Sequence, residues 1–322
     1  MSPLSFLKYL PQGRLRRILG GGALFVSFVS LPFLFGSDTP LQDMQRMIAN
    51  SSREKIESLR QNPLARPDDF NPIITSGPLA ISQTDADRGS WSWNKAKNLS
   101  ASIWTGKSSK GDYESFYCGC GIEATSSTGG SVDLASCGVT PRKSTSRARR
   151  MEWEHIVPAS VIARGKSCWT DGAPQCVDDD GTLFAGRSCC EIADPFYNMA
   201  ATDPVNLVPA VGEVNGDRLN FPYGMIEGSP RAYGACEIEI DQTARIVEPP
   251  ALRRGDIARI YAYMSRAYGI PITQEQANTY RQWMIEDPVS DEEIAINQAI
   301  AEAGHRANPF VLSRVPEGQM GQ

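Results

Sequence analysis

Only two histidines occur in 322 residues, and one of them, His155, stands in "RRMEWEHIVPAS" beside Glu154 and ahead of a short apolar run ending in proline. A histidine that merely fills a core has no use for a carboxylate next to it. A neutral imidazole, with an ordinary pKa of about 6.5, can take a proton from water. Carboxylate and amide oxygens are hard donors of the kind Mg²⁺ prefers, and Mg²⁺ keeps several waters while it binds substrate phosphate, so two protein oxygens suffice. Glu154 and Asn215, the latter within "NLVPAVGEVNGDRLN", supply that pair. The chemistry implied is hydrolysis at a phosphate. His155 would activate the water, and the cation would polarise the phosphate and shield the leaving oxygen.

The elements around these residues must then bring them together. "RRMEWEHIVPA" alternates enough, through Met151, Trp153 and Ile156, to predict a strand that delivers Glu154 and His155 to its end. Neighbours on a strand leave opposite faces, so a bend or bulge is expected there. Pro209 suits a first helical turn and predicts a helix from about Pro209 to Arg218 with Asn215 inside it. Residues 160–200, rich in Asp, Gly and Cys, read as a long cross-linked loop. "WNKAKNLSASIW" is helix-like, and "YESFYCGCGIEATSS" is strand-like. "RGDIARIYAYMSRAYG" predicts an amphipathic helix with Ile257, Ile260, Tyr261 and Met264 on one face, Asp256 as its cap and Gly269 at its end. "SDEEIAINQAIAEAGH" opens with Ser290 and Glu293 as a capping box. These two helices are read as packing elements. The fold class expected is α+β, a mixed helical domain stabilised by disulfides.

The net charge is −5, which argues weakly against a protein coated in basic charge for nucleic acid. Its distribution says more. Arg142, Lys143, Arg147, Arg149, Arg150, Arg164 and Lys166 border His155 against only Glu152 and Glu154. All eight cysteines lie between Cys118 and Cys236, and "CGC" and "CC" are too tight for zinc knuckles, so they read as disulfides. The N-terminus agrees with export: a basic front (Lys8, Arg14, Arg16, Arg17) precedes an apolar run from Ile18 to Phe35. Residues 1–36 are read as a signal peptide or membrane anchor, 37–90 as a spacer, partly disordered, holding the helix-like "LQDMQRMIANSSREKIESLRQ", 91–314 as the domain and 315–322 as a tail. The cysteine-bearing part is thereby expected outside the cytoplasm, periplasmic or secreted.

"RMEWEHIVPAS" and "NLVPAVGEVNGDRLN", with "FYCGC", "LASCGV", "RGDIARIYAYM" and the terminal "NPFVL", resemble the endonuclease I family of periplasmic and secreted nucleases. The resemblance runs from about Trp91 to Leu312. It implies a ββα-metal (His-Me finger) motif with His155 as general base and Glu154 and Asn215 as ligands of Mg²⁺, or of another divalent cation such as Mn²⁺ or Ca²⁺. It also implies an arginine before a cysteine of the long loop that stabilises the cleaved phosphate. "AGRSCC" supplies Arg187 if "PQCVDDDGTLFAG" is an insertion, and the cysteines this adds, Cys176 and Cys189, are expected to bond to each other. The implied activity is cleavage of DNA, with RNA not separated from it, to 5′-phosphate ends by a monomer. One departure stands out: where the family often has a glutamate that orients the imidazole, "DPFYNMAATDPVN" has alanines, leaving Asp203 or a backbone carbonyl for that task.

Rival readings attach to several of these residues. Asn215 beside Gly216 could be a helix C-terminal cap, with Asn206 then the substitute ligand unless it caps a helix start. Arg187 could be a solvated loop residue, Arg218 either a phosphate contact or a helix brace, and His305 structural or exposed. The basic strip is either a solvated face or a contact for phosphates. Two other functions compete: a non-catalytic nucleic-acid-binding or uptake protein of the envelope, which the missing glutamate would favour, and a zinc hydrolase, which the scarcity of histidine and the lack of H-E-x-x-H disfavour.

Overall fold

The structure, a computed structural model, describes residues 82–105, 113–126, 129–228 and 231–311; the leader, the spacer helix and the tail lie outside these described residues. Helices α1 (Gln83–Asp87) and α2 (Trp93–Thr105) come first. Strands β1 (Tyr113–Glu114), β2 (Gly121–Ser126) and β3 (Gly129–Val132) follow, then one turn of helix, α3 (Thr145–Ala148), and β4 (Arg150–His155). Short helices α4 (Ala159–Ile162), α5 (Ser167–Thr170), α6 (Arg187–Ala193) and α7 (Pro195–Ala201) lead to β5 (Leu207–Val211) and α8 (Gly212–Arg218). A small hairpin, β6 (Glu239–Asp241) and β7 (Ile246–Glu248), precedes α9 (Arg254–Tyr268), α10 (Gln274–Glu286) and α11 (Asp291–Glu302). The α+β class is met by a five-stranded antiparallel sheet in the order β1-β2-β3-β4-β5 beside this helical half.

Four sequence expectations need correction. Pro209 lies within β5, opposite Trp153, and not in a helical turn. A proline lacks the N–H a central strand needs, and β5 is the last strand of its sheet, where that loss is tolerated. The helix that carries Asn215 therefore starts later, at Gly212, whose position admits no Cβ because one would sit 2.6 Å from the Arg147 carbonyl oxygen. Residues 160–200 are only in part a loop: four short helices flank an irregular stretch between Thr170 and Arg187, and the segment is tied by Cys168–Cys190 and Cys176–Cys189. Asp256 lies inside α9 and pairs with Arg253 and Arg259 instead of capping the helix, and α9 is buried on nearly every side, the Asp256–Arg259 pair included. Ser290 does cap α11 by accepting from the Glu293 amide, but the Glu293 carboxylate grips Arg259 at 2.6 Å and so does not close the box.

Other expectations hold. Gly269 ends α9 in the left-handed conformation at φ 66°. Cys176 bonds Cys189, and Cys118–Cys236 and Cys120–Cys137 complete four disulfides with no free thiol among the described residues. The Cys118–Cys236 bond joins the β1–β2 turn to the segment before β6 across 118 residues of sequence. Beneath the sheet, the Trp104 indole of α2 donates to the Leu207 carbonyl at 3.3 Å, so α2 is fastened to the start of β5.

Candidate active site

Strand β4 pairs with β5 residue for residue, from Met151–Val211 to His155–Leu207, without a register shift. The expected bulge is absent. Side-chain alternation therefore stands: Glu152 and Glu154 share one face, and His155 leaves from the other. Helix α8 follows β5 directly and covers the glutamate face. Arg218 is 1% exposed and donates to Glu154 Oε1 at 2.9 Å, to the His155 carbonyl at 2.7 Å and to the Ile156 carbonyl at 2.7 Å. Of the two readings of Arg218, brace is the one its contacts support. It holds the end of β4 as well as the carboxylate. Tyr117 also donates to Glu154 Oε1, at 3.3 Å.

Burial pushes the Glu154 carboxyl up, while the Arg218 charge and the Tyr117 and Arg218 hydrogen bonds pull it back; the net direction is upward. A buried carboxylate held by one cation is a group that a second, hard cation would stabilise further.

One turn before Arg218, Asn215 is a helical residue and not a cap, since the cap position falls on Leu219. Its Nδ2 donates to Glu152 Oε2 at 3.2 Å. A carboxylate only accepts, so the amide nitrogen must face Glu152, and Oδ1 is left without a hydrogen-bond partner among the described residues. Asn215 and Glu154 thus lie on one face, the first beside Glu152 and the second beside Arg218, although no hydrogen bond joins Asn215 to Glu154 or to His155. A carboxylate and an uncommitted amide oxygen fit a hydrated hard cation such as Mg²⁺. They do not fit zinc: among the described residues no three His, Cys, Asp or Glu side chains converge, and the cysteines are in disulfides. Asn206 is no substitute ligand. Its Oδ1 accepts from the Val157 amide at 2.7 Å and its Nδ2 donates to the Val157 carbonyl at 3.0 Å, which clamps the chain just after β4.

His155 is 6% exposed, and its Nε2 lies 2.8 Å from the Ala201 carbonyl oxygen. A carbonyl can only accept, so Nε2 carries the proton and Nδ1 keeps its lone pair, with no hydrogen-bond partner among the described residues. The Trp93 indole stacks on the ring at 5.0 Å between centroids and 16° between planes. Burial first, then the charges of Arg187 and Arg218, press the imidazole pKa down to about 3 against the opposing pull of the Ala201 bond. Arg187 opens α6 on the exposed surface, near enough for its charge to act on His155 and Glu191.

The profile of the endonuclease I family matches residues 92–314. The chain belongs to the endonuclease I family. Among relatives of this endonuclease I chain, an extracellular deoxyribonuclease of Aeromonas hydrophila is 40% identical over 197 residues, 61% of this chain and 80% of the relative. Endonuclease-1 of Buchnera aphidicola subsp. Acyrthosiphon pisum (strain APS) is 41% identical over 169 residues, 52% of this chain and 62% of that protein. A periplasmic deoxyribonuclease of A. hydrophila is 37% identical over 197 residues, 61% of this chain and 77% of the relative. Among the described residues of this endonuclease I chain, no helix is long and apolar enough to cross a membrane.

Four contributors escaped the sequence reading. Glu152 had a signal, the period-two spacing of "EWE", which puts it on the Glu154 face. Tyr117 and Trp93 had none, because each reaches the site from a distant segment. The Ala201 carbonyl was expected only as an unspecified backbone carbonyl, the alternative to Asp203, which is occupied by Arg88 at 3.0 Å and Tyr263 at 2.8 Å. The basic strip is mostly engaged internally: Lys143 and Arg142 pair with Asp217, Arg147 and Arg150 with Glu152, and Lys166 with Asp194. Arg149 and Arg164 are exposed and make no ion pair among the described residues.

Proposed function

We propose that this chain is an exported, Mg²⁺-dependent endonuclease that hydrolyses DNA phosphodiester bonds to 5′-phosphate ends with little sequence preference. The observation that carries the reading is the imidazole of His155: neutral, with its one proton fixed on Nε2 and its Nδ1 lone pair left over, at the last residue of β4, on the face opposite the buried Glu154 carboxylate. β4, β5 and α8 correspond to the two strands and helix of the ββα-metal arrangement. Glu154 and Asn215 would hold the cation, and a bound Mg²⁺ would supply charge to the phosphate as its leaving oxygen departs.

His155 Nδ1 takes the proton as the water oxygen bonds to phosphorus. The bond from phosphorus to the 3′ oxygen breaks, and that oxygen leaves with a proton from solvent. Arg187 lies where its positive charge reaches the His155 surroundings, which suits it to the negative phosphate. Arg149 and Arg164 suit backbone phosphates, and contacts to phosphates fix position without reading bases. The relatives' names, extracellular and periplasmic deoxyribonuclease, support both the substrate and the location, and four disulfides suit an oxidising compartment. The Ala201 carbonyl removes the reason to prefer a non-catalytic binding protein, since the imidazole has its acceptor without the missing glutamate.

The test is nicking of supercoiled plasmid with Mg²⁺, with EDTA, and by His155→Ala. Cutting that needs the metal and the imidazole is expected; cutting that survives both changes sinks the reading, and retention without cutting restores the binding protein. Binding to DNA should also weaken steeply as salt rises.

A further inference from the structure

We propose that Trp93 is a positioning residue for His155, and that α7 fixes both the tryptophan and the imidazole; the proposal rests on the reading of His155 as general base. The hydrogen bond from Nε2 to the Ala201 carbonyl sets one point on the ring. It leaves the ring free to swing about that bond, and the direction of the Nδ1 lone pair, which lies in the ring plane, swings with it. Trp93 removes this freedom, because its indole lies face to face with the imidazole at 5.0 Å and 16°. One hydrogen bond and one stacked plane together define where a water must sit to lose its proton.

Both supports lead back to α7. Ala201, its last residue, gives the carbonyl. Asn198, one turn earlier and 1% exposed, donates from Nδ2 to the carbonyls of Arg88 at 3.3 Å, Gly89 at 3.2 Å and Trp91 at 2.8 Å. That amide ties down the segment that enters α2, whose first residue is Trp93. Gly89 lies so close to α7 that a Cβ there would stand 3.0 Å from the Pro195 carbonyl oxygen. The spacing of Asn198 and Ala201, three apart, puts both on one side of a short helix. Displacements of about 1 Å in a reacting group cost on the order of 100-fold in rate, so holding the plane of the ring has a measurable consequence.

The experiment compares Trp93→Leu and Trp93→Phe with wild type and with His155→Ala in steady-state plasmid or oligonucleotide cleavage, together with thermal melting and ¹H–¹⁵N spectra of the imidazole rings. Two histidines make those spectra assignable by one substitution. Trp93→Leu should lower kcat by roughly 10- to 100-fold with KM within about threefold, and Trp93→Phe should recover most of it. The His155 ring protons should lose their upfield displacement in Trp93→Leu while those of His305 stay put. A Trp93→Leu variant with wild-type kcat, or one that changes KM alone, overturns the proposal, as does failure of the Phe ring to rescue. Should Trp93→Leu fail to fold, Trp93→Met decides in its place by the same two readings, kcat against KM and the His155 ring protons. If His155→Ala itself cuts like wild type, the base assignment falls first; if His155→Ala is dead and Trp93→Leu is not impaired, only the positioning role falls.

Discussion

The two histidines occupy matching environments with opposite outcomes. His155 and His305 are both buried, 6% and 7% exposed, and each touches a tryptophan, Trp93 stacked and Trp91 edge-on at 5.4 Å. Each is kept neutral chiefly by burial. The difference lies in which nitrogen is engaged. Nδ1 of His305 accepts from Arg88 Nη1 at 2.9 Å, and since a guanidinium has only donors, that lone pair is occupied. His155 uses its N–H on a carbonyl and keeps its lone pair. Of the two rings, the one whose partner is an acceptor keeps a lone pair for a base, and the one whose lone pair is spent on a guanidinium belongs to the scaffold.

Removing each ring should therefore break different properties. His155→Ala is expected to lower kcat by about 10²–10⁴-fold, and, as a buried ring is lost, to lower the melting temperature as well. His305→Ala should leave kcat within a few-fold and lower stability. A His305 variant that loses activity while still folded, or a His155 variant that keeps it, would erase the distinction. The next largest effect belongs to the scaffold beneath His305. Arg88 is fully buried and bonds Asp85 at 2.5 Å and Asp203 at 3.0 Å as well as the ring. Arg88→Met takes the paired cation from buried Asp203 and leaves Asp85 only Arg306, at 3.7 Å, as a cation among the described residues, and should cost about 3–5 kcal/mol in urea unfolding; a loss below 1 kcal/mol would mean the cluster is solvated.

How much of this was legible depends on distance along the chain. Glu154 and His155 are adjacent, and Asn215 and Arg218 share one helix, so short motifs displayed them. The contacts that decide chemistry cross long separations: Ala201 to His155 spans 46 residues and Arg88 to His305 spans 217. No periodicity reports such meetings. Pro209 shows the converse error, for its preference for a first helical turn was real but weaker than the pairing of β5 with β4. The Cys176–Cys189 bond was legible because an insertion that brings two cysteines into an oxidising compartment gives each an obvious mate. It closes a separation of 13 residues, and its removal in Cys176→Ala/Cys189→Ala should cost about 3 kcal/mol on a chain-entropy account. Unchanged melting would show that the segment between Cys168 and Cys190 holds its shape without this bond.

The smallest effect, and the finest test of the comparison, is the response to acid. In the unfolded chain a histidine takes up its proton near pH 6.5. Folded His155 resists until about pH 3, through burial and then the charges of Arg187 and Arg218, and burial with Arg88 lowers His305 as well. Burial alone would raise Asp85, but its bonds to Arg88 and Ser82 bring it down to about 2. For all three groups the folded pKa lies below the unfolded one, so the unfolded state binds the proton first as pH drops. The stability these three groups contribute is therefore full above about pH 6.5 and declines below it, with Asp85 adding to the decline only under about pH 4. Glu293, pushed up to about 8 by burial, and Asp287, pushed up to about 6 by burial, change in the opposite sense. Relative to the His→Gln variants, wild-type urea midpoints should be level from about pH 8 to 7 and fall from about 6.5 to 5. The slope over that interval should flatten in His155→Gln and, less so, in His305→Gln. The activity profile separates from the stability profile here, because a base that stays neutral gives kcat no inflection near 6.5. An inflection at 6.5 that disappears in His305→Gln would make the scaffold histidine the one that titrates in the folded enzyme.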